Sequence, residues 1–207
     1  GARRDISKEQ FNELLKVIKE TEEEFKGIYD IYENDSSIAA RTKGVGILTH
    51  EDALIYGACG PHGRASNVNF DVRKTMPYNS YEDFDFKVAL ASDGDVFSRA
   101  VVRLVEIEES FKIIKQAVIN MPDGPINLGN KIPRVPKGES LAVTEAPRGE
   151  VSYFVVSNGG QTNSRVNIHV PTFKNAATVP VMLKDNTIAD AGLIVASIDP
   201  CFSCLDR

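Results

Sequence analysis

The residues of this 207-residue chain best suited to chemistry lie at its tail, where Cys201 and Cys204 stand three apart in Asp199-Pro200-Cys201-Phe202-Ser203-Cys204. The residue before a proline avoids the α region, so a helix should end at Asp199-Pro200 and free the cysteines to converge. Two thiolates at this spacing can share a soft or borderline metal: zinc, copper(I), an iron–sulfur cluster or nickel. Half of a structural zinc site and a redox pair fit the spacing too, and spacing alone leaves these open. The third cysteine, Cys59, reads as a buried hydrophobe rather than a ligand. The histidines are dispersed. His62 lies in a glycine-rich segment where it could touch a proton route, and His169 falls on the polar phase of a strand and reads as structural. Arg148 follows Pro147 in Thr144-Glu145-Ala146-Pro147-Arg148-Gly149-Glu150; an arginine in such a setting is ordinarily a surface residue.

The elements that must position these groups are legible from periodicity. Ser7 followed by Gln10 reads as a capping box. Apolar residues then recur at Phe11, Leu14, Leu15, Ile18, Phe25, Ile28, Tyr29 and Tyr32, a helical stripe interrupted by Glu22, Glu23 and Glu24, which read as a solvated face. Residues 34–37 mark a stop. The run 57–66 holds three glycines and a proline, so it should be a conformationally special loop and not a regular helix. Phe97, Val101, Leu104, Ile107, Phe111, Ile114 and Val118 predict one long buried helix over residues 96–120, ended by Met121-Pro122-Asp123-Gly124-Pro125. Residues 122–138 read as an irregular surface crossing. Residues 139–170 carry β signals: a β-prone run over 151–156 and alternation over 165–170, which predicts one buried face. Turn chemistry fills residues 157–164 between them. A last helix should start at residues 187–190 and run to about Ser197. The expected fold class is α+β: mainly helical, with long buried helices and a small antiparallel sheet near residues 139–170.

Composition narrows the function. Apolar residues make up 42% and charged residues 26%, so a sizeable core can form, as one domain or two. A net charge of -5 argues against nucleic acid, which needs a basic face. No apolar run reaches the roughly 18 residues of a membrane span, and no signal peptide is visible. Three cysteines do not make a disulfide framework; a reducing compartment with metal or redox chemistry fits better. Because it opens on Gly1, the sequence reads as processed, truncated, or a piece of something longer.

Two motifs resemble the [NiFe]-hydrogenase large subunit. Asp199-Pro200-Cys201-x-x-Cys204 looks like that family's second nickel-binding motif, and Glu145-Ala146-Pro147-Arg148-Gly149 like its arginine signature. Arg207 stands three residues beyond Cys204, where the family's precursor is typically trimmed; both a mature form and a truncation match this. Gly44-Val45-Gly46-Ile47-Leu48, Gly60-Pro61, Arg64-Ala65-Ser66, Asp71-Val72-Arg73, Pro77-Tyr78, Tyr81, Gly94-Asp95, Arg99, Val155-Val156-Ser157-Asn158-Gly159, Pro171-Thr172-Phe173, Asn175 and Ile188-Ala189-Asp190 follow in the order of the energy-converting, membrane-bound (group 4) branch. That framework is shared with the 49 kDa quinone-reducing subunit of respiratory complex I, which lacks the metal-binding cysteines. The first Arg-x-Cys-Gly-x-Cys motif is absent, so residues 1–207 resemble a single domain, the C-terminal half of the large-subunit-like fold, with the first half missing or on another chain.

The resemblance implies reversible hydrogen oxidation at a Ni–Fe centre whose iron carries CO and cyanide. Cys201 would be a terminal nickel ligand and Cys204 would bridge both metals. Arg148 would hold its guanidinium over the open face, and Asp199 would pair with it or order the outer shell, since a buried charge requires a partner. Pro147, Ser157 and Asn158 would line the iron's anionic ligands. Implied partners are a small subunit carrying a 4Fe-4S cluster, with iron–sulfur clusters receiving the electrons; a polypeptide supplying the first CxxC; and the membrane subunits of an energy-converting complex. The implied location is peripheral, on the cytoplasmic side. The alternative is a complex-I-like scaffold or electron-coupling subunit that acts on quinone or another acceptor without a functional Ni–Fe site.

Overall fold

The computed structural model describes residues 3–127, 129 and 135–206. The capping box forms as the sequence predicts: Ser7 and Gln10 exchange side chain-to-backbone hydrogen bonds and open α1 (Lys8–Asn34). Asp35 ends that helix and at once caps α2 (Ser36–Thr42) by accepting from Ser37 and Ile38. Thr49 caps α3 (His50–Ile55). Two short helices follow, α4 (Gly60–Arg64) and α5 (Val72–Thr75), and then a 3-10 turn at Tyr81–Asp83. The second long helix, α6 (Val96–Ile119), opens on a capping box between Asp95 and Ser98.

A three-stranded antiparallel sheet follows in the order β1 (Lys137–Ala146), β2 (Gly149–Asn158), β3 (Asn163–His169). Ala146 pairs with Gly149, so Pro147-Arg148 forms a tight two-residue turn. The rest is helical: α7 (Pro171–Ala176), α8 (Val179–Leu183), a 3-10 turn at Ile188–Asp190 running into α9 (Ala191–Ser197), and α10 (Phe202–Leu205). The α+β class and the small antiparallel sheet agree with the sequence reading.

Burial is uneven. The main core joins Leu48, Ala53, Ala58, Val96, Met182, Ile194 and Ile198, so it sits where α3, the start of α6, α8 and α9 meet. Each large side chain there contributes about 1.5–3 kcal/mol by leaving water, which makes this cluster the anchor. The long α1 buries only Ile18 and Phe25 and leaves Ile28 and Ile31 exposed. It rests on α6 through Phe25 against Phe111 (edge-to-face, centroids 5.9 Å apart) and Tyr32 stacked on Phe97 (5.4 Å). Glu22, read as solvated, instead accepts from Lys115 of α6 at 2.8 Å.

The expected buried face of β3 is corrected: Val166 is exposed, and most of the sheet is open on both faces. Helices α4 and α7 pack on β2 and α5 on β1, and β2 is half-buried along most of its length. The strands alternate in sequence, but among the described residues β1 and β3 remain largely exposed.

Arg99 locks the core side of α6. Fully buried, it donates from Nη1 to the Gly94 carbonyl, from Nη2 to the Gly46 carbonyl and from Nε to Ser197 Oγ. Burial first, and Arg103 second, lower its pKa to about 10. The last of these bonds matters for the site, because Ser197 ends the helix that delivers the cysteine pair.

Candidate active site at the C-terminal cysteines

Helix α9 stops where the sequence predicts, and Asp199 takes a left-handed backbone conformation (φ +54°) that turns the chain. Such a conformation costs an L-residue about 1–2 kcal/mol, so it must be held from outside. Arg148 supplies the hold: its Nε donates to the Asp199 carbonyl and its Nη2 to Asp199 Oδ1 at 3.0 Å. The Arg148–Asp199 pair expected from the resemblance is therefore present as a two-point clamp.

Cys201 caps α10, and its backbone N–H donates to Thr172 Oγ1 of α7 at 3.3 Å. The Cys204 thiol points at Cys201, with the sulfurs 2.6 Å apart, and Ser203 Oγ lies 3.2 Å from Cys201 Sγ. Hydrogen bonding from Cys204, then from Ser203, with the Arg148 charge adding, draws the Cys201 thiol down to about 7. The same sulfur contact pushes Cys204 up. Two sulfurs facing each other, with the Arg148 charge acting on both, are a soft two-donor set. Among the described residues, no group of three or more His, Cys, Asp or Glu could hold a metal ion. The pair supplies two sulfur donors, and among the described residues nothing completes a metal site around them.

The backbone of Arg148 is fixed as firmly as its guanidinium. Gly60 (φ +65°) and Gly149 (φ +123°) cross so closely that a Cβ on Gly60 would lie 2.5 Å from Gly149 Cα, and one on Gly149 2.7 Å from Gly60 N. Only two glycines allow that approach. Asn175 of α7 seals the crossing: Oδ1 accepts from Cys59 N at 3.0 Å, and Nδ2 donates to the Cys59 carbonyl (3.2 Å) and the Arg148 carbonyl (3.5 Å). The segment 57–66, expected to be irregular throughout, contains the single helical turn α4, because a proline is tolerated in a first turn.

The other expected residues fall as follows. Pro147 sits in the turn beside Arg148 and lines a cavity with Asp199. Ser157 and Asn158 are not brought to the cluster. They lie at the opposite end of β2, roughly 30 Å along the strand at about 3.3 Å per residue, and shape the next hairpin by accepting from Gly159 and Gly160. Cys59 is buried, and its thiol is pushed up to about 11, chiefly by that burial. His62 is buried with Nε2 2.9 Å from Thr178 Oγ1, and burial holds it well below the ordinary histidine range, as a neutral ring. His50 Nδ1 lies 2.8 Å from the Ser66 carbonyl, and His169 is exposed on β3.

Sequence reasoning assigned no role to Thr172 and Asn175, the two α7 side chains that fix Cys201 and Arg148. It also passed over the charged inner face of α6. Arg99, Arg103 and Glu106 recur at helical spacing among apolar residues, and that was the available signal.

Comparison with known proteins agrees with this architecture. A family model described as "Respiratory-chain NADH dehydrogenase, 49 Kd subunit" matches residues 1–133 and 128–207. The chain is 40% identical over its whole length to a carbon monoxide-induced hydrogenase of Rhodospirillum rubrum, covering 57% of that protein. It is 34% identical over its whole length to subunit 4 of the NADH-quinone oxidoreductase of Thermus thermophilus, again covering 57% of the relative. A subunit of the F(420)H(2) dehydrogenase of Methanosarcina mazei is 39% identical over 95% of the chain, which covers 52% of it. The chain thus spans little more than half the length of these relatives. Among the described residues no helix is long and apolar enough to cross a membrane. Matched end to end, the chain belongs to the oxidoreductase family of the 49 kDa subunit of respiratory-chain NADH dehydrogenase.

Proposed function

We propose that this chain forms the C-terminal half of the catalytic subunit of a [NiFe]-hydrogenase, which oxidises hydrogen or reduces protons. One observation carries the reading: the Cys201 and Cys204 sulfurs meet beside an arginine that Asp199 holds in place. The 40% identity to a carbon monoxide-induced hydrogenase supports it. Cys201 and Cys204 would then be thiolate ligands of a nickel–iron centre whose iron would carry CO and cyanide. The bound centre supplies heterolytic cleavage of hydrogen. The chain's own residues present two thiolates, hold the Arg148 donors beside them and keep Asp199 as the partner of that charge. Another polypeptide segment supplies the other two thiolates, and a small subunit with a 4Fe-4S cluster takes the electrons. Both belong to a complex held peripherally on the cytoplasmic side of a membrane.

A second reading has its own support. Most of the similar relatives are named as NADH-quinone oxidoreductase subunits, and the described residues provide only half a sulfur set. In that case the chain is a complex-I-like subunit that serves quinone or another acceptor, and the cysteines hold no nickel. Elemental analysis and infrared spectroscopy of the purified complex separate the two. Stoichiometric nickel with metal-bound CO and cyanide bands is expected; a nickel-free, fully assembled complex refutes the hydrogenase reading.

A further inference from the structure

Beside the cysteine site lies a buried charge cluster that no step above uses. Arg64 of α4 is 1% exposed. Its Nε donates to Glu106 Oε1 of α6 at 2.7 Å and its Nη1 to Glu145 Oε1 of β1 at 2.9 Å. Asp71 stands 3.6 Å from the same Nη1 and is forked by Arg73 at 2.6 Å. Three carboxylates therefore face two guanidinium groups. Burial would raise Asp71, but Arg73 and Arg64 outweigh it and hold that carboxyl low. Glu106 and Glu145 are left to share Arg64. Burial pushes both upward, Arg64 opposes this, and burial prevails at each. Two like charges around one counter-ion in a largely buried cluster favour a single retained proton.

A cavity of about 390 Å³ joins this cluster to the site. Arg64, Glu106 and Glu145 line it together with Pro147 and Asp199. Arg103 also lines it, and its buried Nε has no hydrogen-bond partner among the described residues. Buried N–H groups without a protein acceptor are normally met by ordered water, and this volume is large enough for several molecules. The Glu106 carboxylate takes one hydrogen bond among the described residues, from Arg64, which leaves its second oxygen for the cavity. Ile107, which also lines the cavity, is 40% exposed, and the cavity is not enclosed.

We propose that Glu106 and Glu145, bridged by Arg64 across this cavity, form a proton relay between the Cys201–Arg148–Asp199 site and solvent. A proton leaving the site enters the cavity water and binds one carboxylate as that carboxylate pair releases another outward. No electron moves and the cluster's charge is restored after each passage. Arg64 keeps its charge throughout and fixes the spacing of the two carboxyls. The destination of the proton rests on the hydrogenase reading; the shared proton itself does not. A purely structural ion-pair cluster would hold no exchangeable proton near neutrality.

The test uses the assembled complex carrying Glu106→Gln or Glu145→Gln, which keep shape and hydrogen-bonding capacity. Infrared difference spectra across a pH titration should contain a carboxylic-acid carbonyl band in the unaltered complex, and at least one variant should lack it. Exchange between hydrogen gas and heavy water should slow at least tenfold in both, with nickel content and the CO and cyanide bands unchanged. Where a glutamine variant fails to assemble, the corresponding aspartate variant, which keeps the charge, should retain the band and slow exchange less. Absence of the band from the unaltered complex, or exchange at the unaltered rate in the variants, overturns the relay. A complex without nickel refutes the hydrogenase reading alone, and the carbonyl band then still decides whether the pair holds a proton.

Discussion

Replacing Gly60 by alanine tests the backbone crossing that fixes Arg148. Two costs add at this position. Gly60 has φ +65°, and a left-handed conformation costs an alanine about 1–2 kcal/mol. Its new Cβ would also lie 2.5 Å from both the Arg148 carbonyl carbon and Gly149 Cα. Those neighbours are backbone, so no side-chain rotation relieves the overlap, and overpacking of this kind costs about 1–3 kcal/mol. The sum is roughly 2–5 kcal/mol. Gly57 provides the control, with φ +66° and nothing within 4 Å of an added Cβ. Gly57→Ala should cost only the conformational part, about 1–2 kcal/mol. The difference between the two variants, read as a shift in denaturation midpoint at constant slope, isolates the crowding. Gly149→Ala should resemble Gly60→Ala, and the double variant should cost less than the sum, because strands already forced apart accept the second methyl more cheaply. If Gly60→Ala falls within about 0.5 kcal/mol of Gly57→Ala, the crossing is not tight and Arg148 is not held from behind.

Three further outcomes follow from the same contacts. An ordinary thiol titrates at 9.0, and burial raises Cys59 to about 11. Above pH 9 the unfolded chain therefore releases this proton while the folded chain keeps it. The group's contribution is whole below pH 9 and falls by about 1.4 kcal/mol per pH unit until about pH 11; Cys59→Ala should remove that slope from a pH series of denaturation midpoints. Arg99→Met should destabilise the fold by roughly 2–4 kcal/mol in the same assay, because the Gly46 and Gly94 carbonyls lose their buried donors; an unchanged midpoint would mean that relief of the desolvated charge cancels the loss. Arg148→Lys keeps the charge but cannot grip the Asp199 carbonyl and carboxylate together. Charge-assisted hydrogen bonds contribute about 1.5–3 kcal/mol, so under the proposed hydrogenase reading hydrogen oxidation by the complex should fall tenfold or more at unchanged nickel content.

The long elements were legible because their signals are redundant. Helices α1 and α6 each repeat an apolar period over six or more turns and open on capping boxes. The stop before Cys201 was legible because proline restricts the backbone of the residue that precedes it; the turn at Pro147-Arg148 was not, and emerges only from the pairing of Ala146 with Gly149. The short helices α2, α3, α4, α5, α7 and α8 were not, since four to seven residues span no more than two turns and show no period. Alternation along β3 suggested a buried face, but whether a face is buried depends on a second layer that a strand's own sequence does not encode. Ser157 and Asn158 were grouped with the arginine by family resemblance, and β2 carries them to its far end. The contact that joins Arg64 to Glu106 and Glu145 escaped notice because 42 and 81 positions separate partners that touch in space.

The cysteine pair lies in a stretch with little regular structure of its own, so its position must come from remote contacts. Three converge on it. Arg99 holds Ser197, 98 positions away, at the end of α9. Arg148 holds Asp199 across 51 positions, and Thr172 holds the Cys201 N–H across 29. A single net hydrogen bond contributes only about 1 kcal/mol, too little to fix a thiolate against thermal motion, whereas three from different elements leave few shared displacements. Arg148 is restrained at both ends by the same logic. Gly60 and Asn175 hold its backbone, and Asp199 engages Nε and Nη2. A guanidinium held this way is set in position before any ligand arrives, with Nη1 as the nitrogen not engaged by Asp199, which is what the proposed role of a fixed donor requires.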